Sequence, residues 1–106
     1  MNWIYLLLAG IFEIGWPVGL KLSQGQPSMK IAGIGIAVIS MILSGFFLWS
    51  AQKTIPIGTA YAVWTGIGAV GTFAVGILYF NDSASIWKML SVLLIVIGLV
   101  GLKLAK

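Results

Sequence analysis

One acidic side chain, Glu13, lies inside an otherwise uncharged stretch of sequence at residues 3–20. Placing an ionised carboxylate in a membrane span costs about 2.5–3.5 kcal/mol on insertion scales, so an intramembrane acid normally serves a function. No Lys or Arg lies at a matching depth to neutralise it. We therefore expect its counter-charge to be a proton or a transported cation. The alternative is a protonated glutamate that only hydrogen-bonds a neighbouring helix.

The residues around Glu13 add further chemistry to the same helical face. Gly10, Trp16 and Pro17 lie three or four positions away, which is about one helical turn. Trp16 can donate its indole N–H to the carboxylate, although an aromatic ring is also a common packing residue. Pro17 removes the helical hydrogen bond to the carbonyl of Glu13, which either loosens the backbone at the site or only kinks the helix.

A second polar stripe lies in the third apolar run, where Tyr61, Trp64, Thr65 and Gly68 share one helical face. The tips of the two rings carry an O–H and an N–H, which seek acceptors inside a membrane. Glu13 is the only strong acceptor available, so we expect this stripe to lie near it. Ordinary core packing is the alternative interpretation.

Hydroxyl and small residues occur in the remaining two runs. Ser40 and Ser44 could contribute hydroxyls to a site, or each could bond its own helix backbone. In the last run, Ser91 and Gly98 lie seven residues apart on one face, a spacing typical of a seam between helices.

Four apolar runs supply the helices that must position these residues, at 3–20, 31–51, 55–80 and 83–102. Each is long enough to cross a hydrocarbon core of about 30 Å as a helix. A lipid-facing barrel would need alternating polarity, whereas these runs are apolar on every face. We predict an all-α membrane protein, one domain of four transmembrane helices at about 3–22, 31–51, 56–80 and 84–103.

The composition supports this class. With 60% hydrophobic and 8% charged residues among 106, the chain cannot bury its apolar surface in one soluble core. It has no Cys and no His, so we expect no metal and no cofactor. An enzyme is the least favoured class, because the only other acid is Asp82 in a loop and no nucleophile–base pair is evident. The net charge of +4 comes from scattered lysines, which argues against a nucleic-acid partner.

The lysines divide evenly between the two ends of the predicted bundle. One end carries Lys53, Lys103 and Lys106, and the other carries Lys21, Lys30 and Lys88. The positive-inside rule therefore gives no preferred orientation. Insertion in both orientations would permit an antiparallel dimer, and a fixed topology is the alternative.

Together these residues strongly resemble those of the small multidrug resistance transporters, along the whole chain. The matching segments are Trp3, the run AGIFE at 9–13, Trp16 with Leu20 and Lys21, the run PIGTAYAVWTGIG at 56–68, and the run GLVGLK at 98–103. Trp16 with Leu20 and Lys21, and the run TGIG at 65–68, resemble the guanidinium-exporter branch. The helix 3–4 loop departs from the family pattern at Asn81 and Asp82.

The resemblance implies a proton-coupled antiporter of the bacterial inner membrane that works as an antiparallel dimer of four-helix subunits in the lipid bilayer. Glu13 would bind protons and substrate alternately, and helix 4 would form the main dimer seam, with Ser91 and Gly98 at the interface. The site residues expected from the resemblance and the helical faces together are Glu13, Trp16, Tyr61, Trp64, Ser44 and Gly10.

The resemblance to the guanidinium-exporter branch implies guanidinium or a small guanidinyl cation as the substrate, and bidentate bonding to a carboxylate suits such a planar cation better than an ammonium ion. Three alternatives remain open. The chain could export quaternary ammonium or hydrophobic cations promiscuously, or it could be one subunit of a heterodimer with a paralogue. It could also be a non-transporting membrane subunit in which Glu13 only holds helices together.

Overall fold

The computed structural model describes residues 2–105 and consists of four long helices. They are α1 (Asn2–Gly25), α2 (Lys30–Ala51), α3 (Ile57–Phe80) and α4 (Ile86–Leu104), and a single 3₁₀ turn (Pro27–Met29) joins α1 to α2. All four helices are long and apolar enough to cross a membrane. The predicted all-helical class with four candidate spans is therefore confirmed.

The helix ends follow local chemistry. α1 continues to Gly25, beyond the predicted limit at residue 22, and the following Pro27 cannot extend it. α3 begins directly after Pro56. α4 begins after Ser85, whose hydroxyl accepts a hydrogen bond from the backbone N–H of Lys88 at 3.3 Å, as an N-cap residue does.

α1 and α2 form a closely packed antiparallel hairpin, the most extensive helix pair in the chain. At their crossing, a Cβ on Gly19 would lie 2.7 Å from the carbonyl oxygen of Gly33. In turn, a Cβ on Gly33 would lie 2.6 Å from the carbonyl oxygen of Gly19 and from the backbone nitrogen of Ser23. The two backbones approach this closely only because neither position carries a side chain.

α3 packs against α1, and its glycines receive α1 side chains. A Cβ on Gly68 would overlap the side chain of Glu13, and a Cβ on Gly71 would overlap that of Ile14. Near the start of α1, a small core cluster joins the first three helices and is formed by Leu6, Ala51, Ile55, Ala60 and Val63. Contacts before and after Glu13 along α1 therefore fix its position against α3.

α4 is the least packed helix, for none of its residues is buried. It contacts α3, where Leu99 fills the space beside Gly66, and its other apolar side chains are largely exposed. The chain measures 48 × 34 × 17 Å. Its smallest dimension is less than two helix diameters of about 10–12 Å, and many large apolar side chains are exposed on its surface.

The crossing of α1 and α2 predicts different outcomes for two glycines of α2. Gly33→Ala is expected to lower the free energy of unfolding by about 1–3 kcal/mol, because the new methyl group overlaps backbone atoms of α1. Gly35→Ala is the matched control, since nothing lies within 4 Å of its Cβ position. Unfolding followed by circular dichroism in detergent compares them. Equal stability of the two variants would contradict the close crossing.

Candidate functional site

Glu13 lies on the face of α1 that meets α3. Its Cγ occupies the space that a side chain at Gly68 would fill, so the absence of a Cβ there makes room for the acid. Its Oε1 accepts a hydrogen bond from the indole Nε1–H of Trp16 at 2.7 Å, as the spacing on the helix predicts. Within residues 2–105, Oε2 accepts no hydrogen bond that would compete with a ligand.

A cavity of about 320 Å³ opens beside this carboxylate, between α1, α2 and α3. Its volume is in the range of small-molecule sites. The walls are apolar apart from the carboxylate and the two indole groups, and the lining residues are Glu13, Trp16, Met41, Gly45, Leu48 and Trp64. The arrangement offers one acceptor group and two aromatic rings to a small cation.

Two linked hydrogen bonds hold Trp64 in place on the wall of the cavity. The indole Nε1–H of Trp64 donates to the hydroxyl oxygen of Ser44 at 2.8 Å, and that hydroxyl donates to the carbonyl of Ala9 at 2.8 Å. Ser44 is only 1% exposed. The three residues come from α3, α2 and α1, so these two hydrogen bonds connect all three helices at one point.

Ser44, and not Glu13, is thus the acceptor for Trp64, although Trp64 and Glu13 line the same cavity. The physical reason is that a hydroxyl accepts and donates at once, so Ser44 satisfies both Trp64 and Ala9. The sequence had left open whether Ser44 bonds its own helix. The structure shows that it bonds across two helices.

The remaining predicted site residues, Tyr61 and Gly10, do not line the cavity. The ring of Tyr61 packs on Trp64 with centroids 5.4 Å apart, and Tyr61 is 57% exposed. Gly10 is buried against α3, where a Cβ would lie 2.6 Å from Cγ2 of Ile67. The position of Gly10 is explained by helix packing, and it does not line the cavity.

Sequence reasoning missed the α2 wall of the cavity. Met41, Gly45 and Leu48 follow one another at four and three residues, so they share a helical face beside Ser44. That spacing was the available signal, but apolar residues at helical spacing fit core packing equally well. The role of Gly68 in seating Glu13 depends on the α1–α3 register, which spacing within one helix does not reveal.

Ser91 and Gly98 are not part of this cavity. Both are exposed on α4; the hydroxyl of Ser91 donates to the carbonyl of Trp87 in the same helix at 2.8 Å. Nothing lies within 4 Å of the Cβ position of Gly98. The predicted role of Ser91 and Gly98 in a dimer seam stays a prediction.

Four apolar helices, three of which line a cavity that contains a single carboxylate, are typical of a small helical membrane transporter. The family described as Small Multidrug Resistance protein matches residues 1–95. The chain is 50% identical over 105 residues to a guanidinium exporter of Proteus vulgaris, covering 99% of each protein. It is 49% identical over 105 residues to guanidinium exporters of Salmonella typhimurium (strain LT2), covering 99% of this chain and 98% of that protein, and of Yersinia pseudotuberculosis, covering 99% of each.

The chain belongs to the small multidrug resistance family. This confirms the family assignment made from the motifs around Glu13 and Trp64. It also makes the protein a multi-pass transporter of the bacterial inner membrane, in agreement with its four apolar helices.

The hydrogen bonds that link Trp64, Ser44 and Ala9 predict how a substitution at Ser44 changes stability. Ser44→Ala is expected to lower the free energy of unfolding by about 1–3 kcal/mol, because the part-buried indole N–H of Trp64 loses its acceptor. Ser50→Ala is the matched control on the same helix, since Ser50 donates only to the carbonyl of Phe46 in its own helix. Ser50→Ala should lower the free energy of unfolding by only about 0.5–1 kcal/mol. Chemical unfolding in mixed micelles measures both, and a larger loss for Ser50→Ala would contradict this role for Ser44.

Proposed function

We propose that this protein exports guanidinium or small guanidinyl cations in exchange for protons, and that Glu13 binds both. The observation that carries the proposal is the carboxylate of Glu13 on the wall of an apolar cavity inside the bundle. The similarity of the whole chain to guanidinium exporters supports the choice of substrate.

The carboxylate and the rings beside it fit a planar cation. Guanidinium presents pairs of parallel N–H groups that match the two oxygens of a carboxylate, which an ammonium group cannot do. Oε1 of Glu13 already accepts from Trp16, but a carboxylate oxygen has room for a second donor. The rings of Trp16 and Trp64 line the same cavity and can attract a cation through their faces.

Competition at one carboxylate would couple the two fluxes. When Glu13 is protonated it loses the charge that retains the cation, and when the cation is bound the proton is excluded. A proton that enters down its gradient therefore releases the substrate. Transport follows if the cavity opens alternately to the two sides of the membrane, with Glu13 near the midplane.

An antiparallel dimer provides the second half of such a site. α4 has no buried residue, and the subunit is only 17 Å thick, so a second copy could cover α4 and enclose the cavity. Ser91 and Gly98 would lie on this α4 seam, because small residues allow close helix contact. The even division of lysines suits dual topology and a homodimer, and a heterodimer with a paralogue would use the same surfaces.

Export of quaternary ammonium or hydrophobic cations is a second candidate, favoured by the mostly apolar and aromatic wall of the cavity. Quaternary ammonium ions have no N–H to donate, so their binding would depend on ring faces and burial. Competition binding between guanidinium and tetraethylammonium separates the two substrate classes. Guanidinium should displace tetraethylammonium at a lower concentration than tetraethylammonium needs to displace guanidinium.

Replacing Glu13 tests the shared site. Glu13→Gln keeps the size of the side chain but removes its titration, so guanidinium-driven proton movement in liposomes should vanish. Glu13→Asp keeps the charge but shortens its reach, and loss of one charge-assisted hydrogen bond should weaken apparent guanidinium affinity by about tenfold.

Crosslinking of both variants in detergent is the control, because neither substitution should disturb the dimer. Proton movement by Glu13→Gln at the wild-type rate would contradict the mechanism. An inactive wild-type chain in the same liposomes would instead favour a non-transporting subunit or a heterodimer.

The α4 seam can be tested with one substitution at two open glycines. Gly98→Leu should reduce the crosslinked dimer fraction several-fold, because a bulky side chain would hold the α4 backbones apart. Gly35→Leu on α2 is the matched control, since its Cβ position is equally open. Ser91→Leu should behave like Gly98→Leu. A dimer fraction that is lowered only by Gly35→Leu would move the seam from α4 to α2.

A further inference from the structure

A second cavity, of about 230 Å³, lies between α1 and α3 towards the ends of both helices and contains opposite charges. Its lining includes Pro17, Lys21, Thr72 and Asp82. We propose that this cavity is an outer cation subsite on the path to Glu13, with Asp82 attracting the cation and Lys21 opposing it. This subsite rests on the exchange function proposed above and would form the entrance to the site at Glu13.

Two stripes of residues lead from Glu13 to this cavity. On α1, Pro17 and Lys21 follow Glu13 at intervals of four residues, so all three share one face. On α3, Thr72 follows Gly68, the residue that seats Glu13, at the same interval. At a rise of 1.5 Å per residue, Lys21 lies about 12 Å beyond Glu13 along the helix axis. Pro17 is thus the lining residue one helical turn from Glu13 on α1, and the cavity extends from there towards the ends of α1 and α3.

Asp82 is positioned by the end of α3 and not left free in the loop. Asn81 adopts the left-handed conformation with φ 58° and ψ 31°, which reverses the chain at the helix terminus. The backbone N–H of Asp82 then donates to the carbonyl of Gly76 at 3.0 Å. The carboxylate folds back over Gly76, where a Cβ would overlap Oδ2. A side chain at residue 76 would therefore displace the acid from the cavity.

The charges suit a transient subsite. Glu13 and Asp82 are the only two acids in the sequence, and both lie on the α1–α3 seam. A cation at the cavity mouth would meet Asp82 before Glu13, and low-dielectric walls concentrate the field of a charge in such a cleft. Lys21 lines the same cavity and opposes the cation, which prevents it from being held too tightly. In an antiparallel dimer, each side of the membrane would have one such mouth.

The test is the apparent KM for guanidinium in liposomes at low and high ionic strength. At low ionic strength Asp82→Asn should raise the KM about two- to fivefold and Lys21→Gln should lower it by a similar factor, the size of one partly exposed charge interaction. Both effects should shrink at high ionic strength, because salt screens exposed charges. The maximal rate should change little, since Glu13 is intact.

Two matched controls isolate the cavity from the overall surface charge. Asp82→Glu should retain the wild-type KM, because it keeps the charge. Lys30→Gln removes a lysine at the same end of the bundle but outside the cavity, so its KM should also stay unchanged.

The outcomes separate this proposal from the exchange mechanism. A wild-type chain that transports guanidinium with a KM that neither Asp82→Asn nor Lys21→Gln alters would overturn the outer subsite alone. Equal changes at both ionic strengths would assign these residues to packing and would also overturn it. If Asp82→Asn fails to fold, two measurements still test the subsite. They are the lowered KM expected of Lys21→Gln and the change of the wild-type KM with ionic strength.

Discussion

The desolvation of one carboxylate is the constraint on which the rest of this structure depends. Glu13 sits within an apolar helix, so its ionised form needs both hydrogen-bond donors and a counter-charge. Trp16 supplies one hydrogen bond from the same helix, and the backbone of α3 makes room for the side chain at Gly68. The protein supplies no lysine at that depth, and this leaves the balancing charge to a ligand or a proton.

Close helix packing is the means by which so short a chain builds a defined site. The close crossing of Gly19 and Gly33 holds α1 and α2 together as a hairpin. The hydrogen bonds that link Trp64, Ser44 and Ala9 then hold α3 against that hairpin. These contacts leave the cavity beside Glu13 as a gap between rigid elements. α4 takes no part in this arrangement, which agrees with the proposal that it serves to join two subunits.

Much of the fold and part of the site follow from the sequence. Apolar runs of spanning length predict four helices, and the spacing of Glu13 and Trp16 predicts their hydrogen bond, because both depend on one helix alone. The acceptor for Trp64 could not be predicted in this way, since Ser44 and Ala9 lie on other helices and their register is set by packing. The same reason hides the α2 wall at Met41, Gly45 and Leu48, and the position of Asp82 over Gly76.

Guanidinium binding to the purified protein as a function of pH tests the central claim most directly, with intrinsic Trp fluorescence as the readout. If a proton and the cation compete for Glu13, apparent affinity should be constant at alkaline pH. As the pH falls through the pKa of Glu13, affinity should weaken by up to about tenfold per pH unit, because each bound cation must displace one proton. An affinity that stays flat from acid to alkaline pH would contradict competition at this carboxylate and, with it, the proposed exchange mechanism.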